Sequence, residues 1–281
     1  MKTVVITGGN SGIGKETAVG LAQRGARVVI ASRNAAKGQA AVSEIRARSG
    51  SEIVEMRTLD LASFASVRTF AAELLGGYER IDVLVNNAGV VLRHREVTTD
   101  GHEMTFQVNH LGPFLLTALL RDRIVASAPA RIVMTASHAH KYAGKGIDFD
   151  DLDSEKKYPP FKVYGRTKLM NILFTRELAR RLDGTNVTAN AVHPGYVASN
   201  FAREGDTGKL GNVAMVLGRP FAISAAKGAE TTIYVASSPE VEGVTGQYFY
   251  KSAFAKESAA AQDDAAAARL WEISEQLTNA G

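Results

Sequence analysis

The chain lacks cysteine and lacks any long hydrophobic run. With no cysteine among its 281 residues, it has no disulfide bonds, thiol nucleophiles or cysteine metal ligands, and we predict no other metal site. No apolar stretch approaches the ~20 residues that span a bilayer. The N-terminus reaches a glycine cluster too soon for the apolar region of a signal peptide. We therefore expect a cytoplasmic protein without a membrane partner.

Strong charge of one sign is also lacking. The net charge is +4, and no run of five or six like charges suggests a tail that binds nucleic acid. We therefore predict no nucleic-acid partner. Hydrophobic residues make up 45% of the chain and charged residues 22%, as in ordinary globular domains.

Short β-branched runs alternate with helical patterns along most of the chain. This alternation predicts an α/β fold, a single-domain doubly wound (Rossmann) parallel sheet with helices on both faces. Ligands bind such a sheet at the carboxyl ends of its strands. The predicted strands are 4–6, 27–32, 52–58, 81–85, 131–135, 186–192 and 247–250, and the predicted helices are 12–24, 35–48, 63–75, 101–127 with a bend near Pro113, 161–182, 222–237 and 263–277.

No linker divides the chain, so we predict one domain over residues 1–281. Segments 138–160 and 196–221 are irregular in composition, and we expect them to shape a substrate pocket. Phe161 and Tyr196 are expected to line it. The tail at 256–281 is alanine-rich and is predicted to carry Trp271 on an amphipathic helix.

A glycine-rich loop separates the first strand from the first helix. Glycine lets the backbone turn sharply and approach a pyrophosphate, and the helix offers its free N–H groups to the anion. The spacing is G-x-x-x-G-x-G, and a purely structural turn is the plain alternative. The predicted phosphate contacts are Gly8, Asn10, Ser11, Gly12, Ile13 and Gly14.

The same loop also matches the start of a P-loop. Residues 9–15 read G-x-x-x-x-G-K, but Glu16 follows where that motif needs a hydroxyl for Mg²⁺. A carboxylate there would repel phosphates. Nucleotide hydrolysis therefore stays an alternative that Glu16 disfavours.

The second strand ends at Arg33. An acidic residue at this place usually meets a free ribose 2′-hydroxyl, whereas arginine suits a 2′-phosphate. We therefore predict NADP (NADPH) as the cofactor rather than NAD. The alternative is that Arg33 is a solvated loop residue.

Tyr164 and Lys168 are four residues apart, so on a helix they share one face. A phenol has a pKa of about 10, and a neighbouring cation is expected to lower that pKa. The pair can then exchange a proton with a carbonyl or alcohol oxygen. An ordinary exposed helix pair is the alternative.

Together, the Tyr164–Lys168 spacing and the glycine loop resemble the short-chain dehydrogenase/reductase family. Further motifs of that family follow in the same order, and the resemblance covers residues 2–250. They are Asp60 and Leu61 for the adenine, Asn87, Ala88 and Gly89 in a cofactor loop, Asn109, Ser137, and Pro194, Gly195, Val197 and Ser199 beside the nicotinamide.

A narrower likeness involves residues 109–117, 168–178 and 234–239. These stretches look like the retinol dehydrogenase-like branch of the family. Relatives of that branch include the protochlorophyllide reductases, which are known for conserved cysteines, and the absence of cysteine separates this chain from them.

The resemblance implies an oxidoreductase that moves a hydride between NADP and a small to medium, apolar carbonyl or alcohol. It implies Tyr164 as general acid–base and Lys168 as the residue that tunes Tyr164 and binds the ribose. Ser137 would polarise the carbonyl, and Asn109 would hold a water connecting Lys168 to solvent. It also allows a homo-oligomer that pairs through the tyrosine helix. A redox sensor that binds the cofactor without turnover is the alternative, and the presence of all four catalytic residues argues against it.

Overall fold

The fold is defined by a computed structural model that describes residues 1–197 and 223–280. Ser199 and most of the predicted pocket segment 196–221 lie outside the described residues.

The described strands form one sheet in the order β3-β2-β1-β4-β5-β6-β7-β8. Neighbouring strands pair in parallel from β3 to β7, and β7 pairs with β8 antiparallel. The predicted strands are confirmed, whereas the two-residue β8 is too short to produce a periodic signal. The strands are β1 (Thr3–Thr7), β2 (Arg27–Ser32), β3 (Val54–Thr58), β4 (Val83–Asn86), β5 (Ala130–Thr135), β6 (Val187–His193), β7 (Tyr248–Tyr250) and β8 (Ala253–Phe254).

Helices cover both faces of this sheet. Along β1, Val4 and Ile6 pack in a cluster with residues of α1, α2 and α7, while Val5 packs in a second cluster with residues of α3, α5 and α6. This alternation follows from the two-residue period of a strand. The doubly wound α/β fold is therefore confirmed. The helices are α1 (Gly12–Ala22), α2 (Ala35–Ser49), α3 (Phe64–Gly77), α4 (Met104–Phe106), α5 (Gly112–Ala126), α6 (Pro160–Arg181), α7 (Ala225–Ser237) and α8 (Asp264–Thr278).

The predicted helix at 101–127 is interrupted. A π-helical segment, Gln107–Leu111, separates the short α4 from α5. Pro113 lies at the start of α5, where a missing N–H is tolerated. The irregularity therefore precedes Pro113 and falls on the turn that contains Asn109, and π-turns inside helices are frequent at functional sites.

The predicted tail helix is confirmed as α8, and Asp263 caps it by accepting a hydrogen bond from the Ala266 N–H. Trp271 is only 6% exposed. Its ring stacks on Phe174 at 5.7 Å and meets Phe114 edge-on at 5.0 Å. The tail is thus part of the core beneath α5 and α6. Within the described part of the chain, no helix combines the length and apolarity needed to cross a membrane.

Replacing Trp271 with alanine is expected to lower the free energy of unfolding by about 3–5 kcal/mol, because the cavity left between α5 and α6 cannot collapse fully. Urea denaturation measures this loss. Glu272→Ala, at the exposed neighbouring position, is the control and should change stability by less than about 0.5 kcal/mol. A loss below about 1 kcal/mol for Trp271→Ala would contradict the core role of the tail.

Candidate active site

The carboxyl ends of the parallel strands open into one cleft of about 2070 Å³. The strand order places the ends of β2 and β3 on one side, β1 and β4 in the middle, and β5, β6 and β7 on the other. Asn109 does not line this cleft in the described structure. The predicted site residues that do line it are Gly8, Asn10, Ser11, Gly12, Ile13, Gly14, Arg33, Asp60, Leu61, Asn87, Ala88, Gly89, Ser137, Tyr164, Lys168, Pro194, Gly195 and Val197.

The glycine loop forms a cradle that side chains would fill. Gly8 has a φ of +65°, which favours glycine. A Cβ on Gly14 would overlap the carbonyl oxygen of Gly8, and one on Gly9 would lie 2.6 Å from Cγ2 of Ile30. Sequence reasoning did not single out Gly9, because its constraint comes from β2. The loop therefore lies close against the sheet and is accessible to a pyrophosphate.

The N-terminus of α1 faces the same cleft. Ser11 is its N-cap and, within the described residues, makes no side-chain capping bond. The first N–H groups and the positive end of the helix dipole can therefore receive an anion. This arrangement fits the phosphates of a dinucleotide.

Lys15 is not among the described residues that line the cleft. Its ammonium pairs with Glu44 at 2.6 Å, and Glu16 pairs with Arg48 at 2.6 Å. A P-loop lysine would instead reach the phosphates. The geometry therefore argues against nucleotide hydrolysis.

Thr7 fixes the loop after β4 beside the glycine loop. Its Oγ1 accepts hydrogen bonds from the backbone N–H groups of Asn87 and Ala88, both at 3.0 Å. The Asn87 side chain donates to the Thr7 carbonyl at 2.9 Å. Thr7 is fully buried, and its role could not be read from sequence because its partners are 80 and 81 residues away.

Two cationic residues line the cleft at the end of β2. Arg33 is exposed and lines the cleft together with Lys37 of α2. Asn34 caps α2 by accepting a hydrogen bond from the Lys37 N–H at 2.9 Å. Asp60 lies on the same side and accepts a hydrogen bond from the Ala62 N–H at 3.0 Å. The start of α2 thus brings Lys37 to the same part of the cleft as Arg33. Lys37 was not predicted from the sequence as a site residue.

The predicted catalytic groups meet where β5 faces α6. Lys168 is 2% exposed, and its Nζ donates to the Thr135 carbonyl at 3.1 Å. The same Nζ lies 5.5 Å from the centre of the Tyr164 ring. Ser137 Oγ accepts from the Ala139 N–H at 3.1 Å and hydrogen-bonds with Tyr164.

The prediction that Lys168 lowers the pKa of Tyr164 is wrong in this structure. Burial raises the pKa of the phenol, and its hydrogen bond with Ser137 opposes this only partly. Burial also lowers the pKa of Lys168 to about 8, which still lies above neutral pH, so the ammonium is the main form at pH 7. Tyr164 therefore keeps its proton at neutral pH and is suited to donate it.

Asn109 supports the site from behind. Its Oδ1 accepts from the Val90 N–H at 2.7 Å, and its Nδ2 donates to the Val90 carbonyl and to Thr167 Oγ1 at 2.9 and 3.0 Å. Thr167 precedes Lys168 on α6. Asn109 therefore joins the loop after β4 to the catalytic helix, and its predicted contact with a water stays a prediction.

Beyond Ser137 and Tyr164, aromatic side chains line the cleft together with the basic residues Lys141 and Lys256. Segment 138–160 begins with a 3-10 helix, His138–Ala143, that sequence reasoning missed. Phe161 and Tyr196 line the cleft as expected. The other aromatic residues on this side are Tyr142, Tyr248, Tyr250 and Phe254.

The chain is similar to known proteins over almost its whole length. The family model described as short chain dehydrogenase matches residues 2–149. Retinol dehydrogenase 14 of Homo sapiens is 46% identical over 290 residues, which cover 98% of this chain and 86% of that protein. A crystal structure of an uncharacterized protein from Mycobacterium paratuberculosis matches this chain with a TM-score of 0.78 at 37% identity. The match covers 99% of this chain and 94% of that chain.

An actinorhodin polyketide ketoreductase, crystallised with NADPH, has the same fold. Its TM-score is 0.69 at 26% identity, and the match covers 88% of this chain and 94% of that chain.

Gly14→Ala is expected to displace the glycine loop, since its methyl group would overlap backbone that cannot move aside cheaply. Affinity for NADPH, measured by calorimetry, should fall about tenfold or more, in line with an overpacking penalty of about 1–3 kcal/mol. The control is Gly76→Ala. Gly76 is an exposed position near the end of α3 with open space around it, so this variant should bind NADPH as the wild type does. Wild-type affinity in Gly14→Ala would contradict the cradle.

Proposed function

This chain belongs to the short-chain dehydrogenase family of oxidoreductases, and from that premise we propose that it is an NADP-dependent carbonyl reductase and alcohol dehydrogenase. The observation that carries the proposal is the meeting of Ser137, Tyr164 and Lys168 between the glycine loop and the aromatic side of the cleft. This places a proton donor next to the expected position of a nicotinamide.

Tyr164 is the proposed general acid in the direction of reduction. When bound, the reduced nicotinamide supplies the hydride. Tyr164 gives its proton to the carbonyl oxygen as the carbon accepts the hydride, so an alcohol forms and a phenolate remains. Ser137 directs its O–H to the same oxygen and stabilises the charge that develops there.

Lys168 stabilises the charge left on Tyr164. Its protonated ammonium favours the phenolate that forms when the proton leaves. The Thr135 carbonyl holds the lysine in place at 3.1 Å. The reverse path oxidises an alcohol, with the phenolate of Tyr164 as the base.

The preference for NADP is proposed from the two cations at the end of β2. Arg33 and Lys37 both line this part of the cleft. The planar guanidinium of Arg33 can donate two parallel hydrogen bonds to oxygens of a 2′-phosphate, and Lys37 adds a second positive charge. The NADPH complex of the similar ketoreductase supports the choice of cofactor.

We propose an apolar carbonyl or alcohol of small to medium size as the substrate. The similar human protein is named for retinol, an apolar alcohol. The aromatic lining beyond Tyr164 suits such a molecule, because binding pockets bury apolar ligand surface against aromatic side chains.

Tyr164→Phe is expected to lower turnover with NADPH and an aromatic aldehyde by roughly 10²–10⁴-fold, the usual contribution of a general acid. NADPH affinity should stay within about twofold, because the phenyl ring keeps its packing. Absorbance at the NADPH band and calorimetry measure the two quantities. Tyr234→Phe, whose hydroxyl meets Glu240 outside the cleft, is the control.

Full activity in Tyr164→Phe would contradict the acid–base role. A wild-type protein that binds NADPH tightly but reduces no carbonyl in a broad panel would instead establish the redox-sensor alternative.

Arg33→Asp is expected to weaken NADPH binding by about 10–100-fold, since a charge-assisted hydrogen bond contributes about 1.5–3 kcal/mol. NADH binding should change far less. Calorimetric titration of both cofactors gives the ratio. Arg121→Asp, an exposed charge reversal on α5, controls for net charge. An unchanged NADPH-to-NADH ratio in Arg33→Asp would remove this residue from cofactor selection.

A further inference from the structure

His140 is buried immediately beside the catalytic serine. It lies in the 3-10 helix that follows Ser137 and is 1% exposed. Its Nδ1 lies 2.7 Å from the Ser137 carbonyl oxygen, and its Nε2 lies 3.1 Å from the Ser258 nitrogen. Its ring meets Tyr248 edge-on at 5.4 Å. The burial of His140 could not be read from the sequence, because it depends on the distant tail that folds over the ring.

These two contacts determine the state of the ring. A carbonyl oxygen only accepts, so Nδ1 of His140 carries the hydrogen that Ser137 receives. A backbone N–H only donates, so Nε2 presents its lone pair to Ser258. The imidazole is therefore neutral and held as the Nδ1–H tautomer.

The ring joins two parts of the cleft. On one side it holds the backbone of Ser137, whose hydroxyl touches Tyr164. On the other side it holds the backbone N–H of Ser258, two residues after the wall formed by Phe254, Ala255 and Lys256. The Ala255 N–H is already held by the Tyr248 carbonyl at 2.8 Å, and His140 fixes the stretch that continues from there.

We propose that His140 is a positioning residue that locks the catalytic serine and the cleft wall at 254–256 into one unit through its neutral Nδ1–H tautomer. This inference rests on the proposed function, because Ser137 can position a substrate oxygen only if the chain reduces carbonyls. His140 touches no reacting atom and acts through the two backbones it joins.

The arrangement depends on pH. A proton added to Nε2 would set two donors, the ring N–H and the Ser258 N–H, against each other. Burial lowers the pKa of His140, the hydrogen bond to Ser137 raises it, and the nearby Lys141 and His138 lower it further. His193 and Tyr248 also face the His140 ring. On the side of Ser258, the preceding residue Glu257 forms an ion pair with Arg176. The contact is therefore intact at neutral pH and is lost when acidification reaches the lowered pKa of His140, which lies below the ordinary histidine value of about 6.5.

Ser258 allows a test of this contact with a matched control. Its φ is −76°, which proline can adopt. Ser258→Pro removes the N–H that His140 accepts and sets the proline Cδ against Nε2, so the contact is broken. Ser258→Ala keeps that N–H and removes only an Oγ that has no hydrogen-bond partner among the described residues. The two variants form a matched pair.

The kinetic experiment measures kcat and KM for an aromatic aldehyde at saturating NADPH. His140→Phe keeps the ring packing and loses both hydrogen bonds, so kcat should fall on the order of tenfold or more because Ser137 shifts. His140→Asn keeps a donor near Nδ1 and should recover most of that loss. Ser258→Pro should raise KM by about two- to tenfold, as one lost hydrogen bond predicts, while Ser258→Ala follows the wild type.

The pH profile separates positioning from mere stability. The contribution of His140 to the acid limb of kcat/KM should disappear in Ser258→Pro, because the contact that protonation of Nε2 would break is already absent. In His140→Phe the contribution of this ring to the limb should disappear. A Ser258→Pro variant with wild-type KM and an unmoved acid limb would overturn the proposal, even if its melting temperature fell.

The tautomer is tested without substrate. In the holoenzyme with NADPH, long-range ¹H–¹⁵N NMR of labelled histidine, assigned by comparison with His140→Phe, should show His140 as Nδ1–H at pH 7. An Nε2–H or doubly protonated ring would overturn the proposal. Wild-type protein that reduces no carbonyl in a panel would contradict the proposed function, whereas this NMR result would still decide the arrangement of His140.

Discussion

The burial of a protonated lysine fixes the geometry of the site. Lys168 is 2% exposed, and the Thr135 carbonyl at the end of β5 receives both its Nζ at 3.1 Å and the Nδ2 of Asn171 at 3.2 Å. A buried ammonium is tolerated only when protein dipoles replace its water. α6 must therefore stay in register with β5. Tyr164, one turn before Lys168, and Ser137, two residues after Thr135, are brought together as a consequence.

The order of the strands arranges the rest of the cleft around that point. Because the parallel strands end at one edge of the sheet, the cations after β2, the glycine loop after β1 and the loop after β4 line up toward Ser137. Residues in and after β6, β7 and β8 then continue the cleft past Tyr164 with aromatic side chains. An elongated cofactor and an apolar substrate would thus meet end to end at the phenol, where a proton donor is needed.

Local patterns were enough to predict the strands, the glycine loop and the Tyr164–Lys168 pair, because each of these depends on spacing along the chain. Properties that depend on distant contacts were not predictable. Burial reverses the expected pKa direction of Tyr164, since a four-residue spacing carries no information on solvent access. Thr7 and His140 act through partners 80 or more residues away. The π-helical turn that contains Asn109 and the hydrogen bond of this residue to Val90 were likewise not predictable.

The central claim is that a hydride leaves a nicotinamide in this cleft and reaches a carbonyl carbon beside Tyr164. NADPH carrying deuterium in the transferred position on C4 tests it directly, with mass spectrometry of the alcohol formed from an aromatic aldehyde. The account predicts one deuterium on the carbinol carbon for each NADPH oxidised. Alcohol without the label, or NADPH oxidised with no alcohol formed, would contradict it.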